Sequence, residues 1–327
     1  MSEFPLSRRR WLGGVATSFL ATPALSQPSW PDRSIRVLVG YPAGGANDLV
    51  ARAIAAPLSD ALGQPVVVEN RTGAAGGIAA EAAARATPDG YTLYMISSAQ
   101  VLAPSIRRSV PFDPVRDFTY ISLGARAPYF LAVHPSLGVN TVGELVALAK
   151  ARPGAISFAS SGVGAGPHLT MSYFMSVAGI ELDHVPYRGD ADAMIDLVAG
   201  RVPVSFISVA PTVPHVQAGR LKALAVSGAE RVSVAPEVPT VAESGYPGFA
   251  MDAWWGLAGP AGLPASVVNR IAREVRPILD APSFAERFAA SGVVPSKVGP
   301  AEFTQLVRDD RVRFDRIVET ARIPVQD

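Results

Sequence analysis

Between residues 35 and 97 the chain switches back and forth between two hydrophobic periods, and that alternation limits its fold more than any other feature. "SIRVLVGYP" is a β-branched strand. "NDLVARAIAAPLSDALG" repeats its apolar residues at helical spacing and places Leu49, Ala53, Ile54, Leu58, Ala61 and Leu62 on one face. Pro57 within it predicts a kink. "PVVVEN" is a second strand, "AGGIAAEAAARA" a short Ala-rich helix and "YTLYMISS" a third strand. Strands that alternate with helices predict an α/β fold, a mostly parallel sheet flanked by helices.

A second unit of the same kind follows the long extended run "DFTYISLGARAPYFLAVHPS". Thr141 and Glu144 form a capping box for a helix, and strands and helices then alternate through "LKALAVSG". Thr240 and Glu243 repeat the capping pattern. Another extended run, "MDAWWGLAGPAG", precedes three helices near 264–280, 283–291 and 300–321. Alternation along this run sends Trp254 and Trp255 to opposite faces, with core packing the expected role. Phe303, Leu306, Val307, Phe314, Ile317 and Val318 stripe the last helix. Two units joined by two long runs predict two lobes: residues 27–126 with 249–327, and residues 127–248. Pattern alone also permits one continuous sheet.

Each unit has a glycine-rich turn between its first strand and the next helix. In "YPAGGANDLVAR" the turn can present the N–H groups of Gly44, Gly45 and Ala46 to an anion at a helix N-terminus. The lysine of a nucleotide phosphate loop is missing, and Asp48 repels polyphosphate. Asp48 reads as a cap for its own helix. "FASSGVGAGPHL" repeats the geometry, with Ser160, Ser161, Gly162, Val163 and Gly164 as donors. Both turns sit at the carboxyl ends of strands, where open α/β sheets bind ligands. A third turn offers Tyr187, Arg188, Gly189 and Asp190, with Asp190 read as an N-cap.

Other chemistries fit poorly. The glycines at 162, 164 and 166 do not space as a dinucleotide fingerprint, and Asp183 precedes its strand instead of ending it. There is no G-x-S-x-G elbow. The four histidines, 134, 168, 184 and 215, have no metal-ligand spacing, and the chain has no cysteine. No metal, cofactor or catalytic residue is expected.

The N-terminus carries Arg8, Arg9 and Arg10, an uncharged stretch from Trp11 to Ser26, and "ALS" at 24–26. This predicts a twin-arginine-like export signal over residues 1–26, cleaved near Ser26, and a periplasmic location. The remainder has 26 basic and 27 acidic residues and no basic stripe, so neither nucleic acid nor anionic lipid is an expected partner.

Taken in order, "YPAGGANDLVAR", "VVVENRTGAAGG", "SSGVGAGPHL", "HVPYRGDADAMIDLVAGRV", "VPTVAESGYPGF" and "WWGLAGPAGLP" resemble the Bug family. These are the substrate-binding proteins of tripartite tricarboxylate transporters. The resemblance covers nearly the whole chain after the signal. It implies a two-lobed type II periplasmic-binding-protein fold, a Venus flytrap that closes on a small carboxylate-bearing solute. It further implies membrane permease subunits as partners, and a monomer is expected. Carried onto this chain, it implies ligand contacts at Ala43, Gly44, Gly45 and Asn47, at Ser97 and Ser98, at Ser160, Ser161, Gly162, Val163 and Gly164, and at Tyr187, Gly189 and Asp190. "SSAQVLAP" lacks the Asn or His often found after the serines, which leaves the ligand's far end undefined. A receptor that reports ligand occupancy to a signalling partner remains an open alternative.

Overall fold

A computed structural model describes Met1, residues 30–320 and residues 322–325. Beyond Met1, the expected export signal lies outside the described residues. The first unit runs β1 (Ile35–Val39), α1 (Ala46–Leu62), β2 (Val66–Asn70), α2 (Gly77–Ala84), β3 (Thr92–Ser97) and α3 (Ser98–Ile106). The long strand β4 (Phe118–Val133) leads to α4 (Val142–Ala151), β5 (Ser157–Ser160), α5 (Gly166–Ala178), β6 (Asp183–Pro186), α6 (Asp190–Val198), β7 (Val204–Ser208), α7 (Val209–Gln217) and β8 (Lys222–Val226). β9 (Asp252–Pro260), α8 (Ala265–Asp280), α9 (Pro282–Phe288), β10 (Val294–Pro295) and α10 (Pro300–Thr320) complete the chain.

Two helices, α3 and α7, were not legible as helices. Pro104 in α3 and Pro214 in α7 interrupt the patterns a helix normally shows. α1 runs through Pro57 as one element. Its buried face is not quite the expected one. The row Val50, Ile54, Leu58, Leu62 packs inward, and Leu49, one residue off that row, is left exposed. The Thr240 and Glu243 box forms reciprocally, but it closes a turn and no helix follows.

The sheet explains why the pattern has two halves. In the first, the order is β2-β1-β3-β9-β4. In the second it is β6-β5-β7-β4-β8. The outer three strands of each half are parallel, as expected for βαβ crossovers. The crossing strands join them antiparallel. β4 pairs with β9 as far as Pro128, with β7 from Tyr129 onward and with β8 from Phe130 onward. One strand therefore belongs to both halves, and hydrogen bonding is continuous along it.

Strands in the middle of each half are buried on both faces, which is why β3 reads as an apolar run without alternation and β7 buries even its interior Ser205. Trp254 and Trp255 do point to opposite faces, yet both are buried. Trp254 packs edge-on against Phe303 of α10, and its Nε1 donates to Asp310 at 2.7 Å. The α10 stripe buries Phe303, Val307, Phe314, Ile317 and Val318. Each such side chain contributes about 2 kcal/mol through burial. α10 packs along α3 and β4 of the first half and also reaches α5 of the second.

Candidate functional site

Three helix N-termini face one cavity of about 510 Å³ between the halves. α1 brings Gly45, Ala46 and Asn47, α3 brings Ser97 and Ser98, and α5 brings Gly164, Ala165 and Gly166. The floor is the pair of crossing strands, through Tyr129, Met251, Asp252, Ala253 and Trp255. Among the described residues, no lysine, arginine or histidine lines the cavity. An anion held here meets neutral donors and the partial positive ends of helices, and it also meets one acid, Asp252, whose carboxyl burial pushes up to about 6 and which lies 3.7 Å from Arg126.

The first turn is held from below. Asp48, 2 % exposed, accepts from the Gly44 N–H at 2.9 Å, from Arg52 Nε at 2.9 Å and from Asn70 Nδ2 at 2.9 Å. Burial pushes this carboxyl up, but those hydrogen bonds outweigh it and hold it at about 2. The expected cap is thus different in kind. Gly45 is the N-cap, and Asp48 reaches back to fasten the turn. The Gly44 N–H is therefore not a free donor, and the Gly45 N–H leans on Pro42 O at 3.3 Å. The first three helical residues, Ala46, Asn47 and Asp48, have N–H groups without an intrahelical partner, and Ala46 and Asn47 line the cavity. Asn47 Oδ1 is buried without a partner.

At α3 the Ser97 hydroxyl and N–H both donate to Gln100 Oε1, at 2.7 and 3.0 Å. Gln100 Nε2 donates to the Tyr41 hydroxyl and to Ala75 O. Gln100 thereby ties together the turns after β1, β2 and β3. It escaped the sequence reading, although Ser97 and Gln100 have capping-box spacing. Ser98 remains to face the cavity.

In the second half, a ring stack holds the turn. Phe158, His168 and His184 lie nearly parallel, the two imidazoles with centroids 4.0 Å apart. His168 Nδ1 accepts from the Gly164 N–H at 3.0 Å, and His184 Nε2 sits 2.7 Å from Ser160 Oγ. Ser160 Oγ also accepts from the Gly162 N–H at 3.2 Å. The N–H groups of Gly162 and Gly164 and the Ser160 hydroxyl, all expected to meet ligand, are spent on shaping the turn. Gly164 does line the cavity; Ser160, Ser161, Gly162 and Val163 do not. Ala43 and Gly44 are exposed and also lie off the lining.

The third turn stands apart from the cavity. The Tyr187 hydroxyl donates to Asp196 at 2.6 Å, and Gly189 is the N-cap of α6. Asp190 is the first helical residue, not the cap, and its carboxylate accepts from Ser208. Position, and not residue type, hid Tyr129, Gly166 and Trp255 from the sequence reading. Gly166 is required there, because a Cβ would lie 2.2 Å from the Tyr129 hydroxyl.

Burial, reinforced by the charge of His184, drives His168 down to about 4. The unfolded chain binds a proton there near 6.5. Stability is expected to fall by about 3 kcal/mol as pH drops from about 6.5 to about 4, and to level off below. Urea titrations across that range check this. His168→Gln should flatten the slope.

Two α/β halves with matching strand order, a shared crossing strand and helix N-termini aimed into one cavity define a two-lobed solute-binding protein. The tripartite tricarboxylate transporter family receptor model, TctC, matches residues 50–323, and the chain belongs to this family. It is 34% identical over 306 residues to Protein BugT of Bordetella pertussis, covering 93% of this chain and 94% of BugT. Among solved structures it is similar to R. palustris Rpa4515 with adipate, at 32% identity and TM-score 0.69, covering 90% of this chain and 99% of that one. It is also similar to a TctC solute-binding protein from Polaromonas with no ligand, at 25% identity and TM-score 0.83, covering 89% and 99%. Among the described residues no group of His, Asp or Glu is placed to hold a metal ion, and no helix is long and apolar enough to cross a membrane.

Proposed function

We propose that the chain is an exported periplasmic receptor, not an enzyme, that captures a small carboxylate-bearing solute for the permease subunits of a tripartite tricarboxylate transporter. The observation that carries this reading is the convergence of free helix N-terminal amides from both halves on a cavity that no cationic side chain among the described residues lines. One carboxylate is held by the N–H groups of Ala46 and Asn47 with the Ser98 hydroxyl. The Gly166 N–H and the Tyr129 hydroxyl join from the floor and the second half. Residues 27–126 with 249–327 move as one lobe and residues 127–248 as the other, and contacts made only on closure favour the closed form when ligand is bound. Adipate in Rpa4515 supports an organic acid as the ligand class. The better superposition on the ligand-free Polaromonas protein, despite lower identity, supports an open cleft here.

The test is a thermal-shift and calorimetry panel of mono-, di- and tricarboxylates against sugars and amines. An acid at about 100 times its Kd should add about 2.7 kcal/mol and raise Tm by roughly 5 °C. Response to sugars or amines with none to acids contradicts the reading.

A further inference from the structure

The cavity between the halves continues past α3. A second cavity of about 230 Å³ adjoins it, walled by Ala103, Ile106, Val110 and Phe112. Ala99, Leu102 and Gly164 line both cavities. Ala99 is the junction. It is exposed, it follows Ser97 and Ser98, and it ends in a single methyl. The neighbouring Gln100 is turned inward and fully engaged with Ser97, Tyr41 and Ala75. Arg107 is the one charged side chain among the lining residues, and its Nη1 reaches the Ala74 carbonyl at 3.5 Å. Gly164 comes from the second half, and a Cβ there would stand 3.5 Å from Ile106 Cδ1. Both halves therefore wall this space.

We infer that the second cavity is an arm pocket of the same site, and that the acid captured carries an aromatic or branched apolar arm beyond its carboxylate. The inference rests on the carboxylate-capture reading and specifies its ligand class: an amphipathic monocarboxylate. The carboxylate stays at the α1 and α3 N-termini. The arm passes Ala99, where a larger polar side chain would block it, and lies against Ile106 and Phe112. An apolar cavity of about 150 Å³ is enough to hold benzene, so 230 Å³ admits a ring with its linking methylenes. Each buried methylene is worth about fourfold in affinity.

Calorimetry with acetate, propionate and adipate against phenylacetate, 3-phenylpropionate and 4-methylpentanoate tests this. The armed acids should bind at least roughly tenfold tighter than the short or linear ones. Ala103→Phe, which fills the pocket from α3 and lies outside the first cavity, should abolish that preference while leaving the weaker acids unchanged. Val110→Phe, from the segment after α3, should do the same and stands in if Ala103→Phe fails to fold. Short acids binding as tightly as armed ones, or a preference that survives both fillings, overturns the arm pocket and leaves carboxylate capture intact. Binding of no acid at all overturns both.

Discussion

Replacing Asp48 by alanine lowers stability by about 3 kcal/mol and weakens ligand binding in the same variant. The carboxylate is buried and satisfies three donors: the Gly44 N–H, Arg52 Nε and Asn70 Nδ2. Truncation removes the acceptor that the Gly44 N–H and Asn70 Nδ2 share, though Asn70 keeps its bond to Tyr41 O, and removing one member of a buried, charge-assisted network costs about 3 kcal/mol. Arg52 is 45% exposed and recovers water, which keeps the cost from rising further. Tm should fall by roughly 5 °C. The turn over residues 41–45 loses its anchor, so the amides of Ala46 and Asn47 lose their fixed direction and affinity drops with stability. The pH dependence has a defined sign. The carboxyl titrates at about 2 in the fold and near 3.8 otherwise, so its contribution is complete above about pH 4. It disappears as pH falls through 2. Asp48→Ala should lack that acid limb, as chemical denaturation at pH 2 to 5 would reveal. A variant as stable as the parent would show the network to be incidental.

Ala46→Pro separates ligand binding from folding. Ala46 is the first helical residue of α1, a position where proline is tolerated because its N–H has no intrahelical partner. Gly45 before it is already extended, at φ −74° and ψ 166°, as a residue preceding proline must be. The substitution therefore deletes one donor and leaves the helix in place. A hydrogen bond to a charged group is worth about 1.5–3 kcal/mol. Affinity for the acid should fall roughly 10- to 100-fold, while Tm shifts by no more than a degree or two. Calorimetry beside a thermal melt reads both.

The fold was legible where one period of hydrophobicity dominates. β1, β2, β3 and the existence of α1 follow directly from "SIRVLVGYP" to "YTLYMISS", while the buried row of α1 is turned by about one residue from the expected face. It was illegible where proline masks a helix that tertiary packing supports, as in α3 and α7. The sequence reading and the cavity agree on the turns after β1, β3 and β5, and they differ over the turn after β6 and over which amides are unpaired. Glycine turns advertise N–H groups, but the chain uses many of them internally. Gly44 gives its N–H to Asp48, and Gly164 gives its own to His168. Nothing in a linear pattern tells a spent amide from a free one. The floor of the cleft, Tyr129 and Trp255, lies on strands that read as plain extended runs. Only the switch of β4 from β9 to β7 and β8 brings them beneath the three helix ends.

An amide NMR titration with an acid that binds asks the plainest question of the molecule. The account predicts that the signals of Ala46 and Asn47 from the first half and Gly166 from the second move together and saturate at one equivalent. Movement confined to one half, or no movement at any of the three while binding is measured by calorimetry, would contradict it.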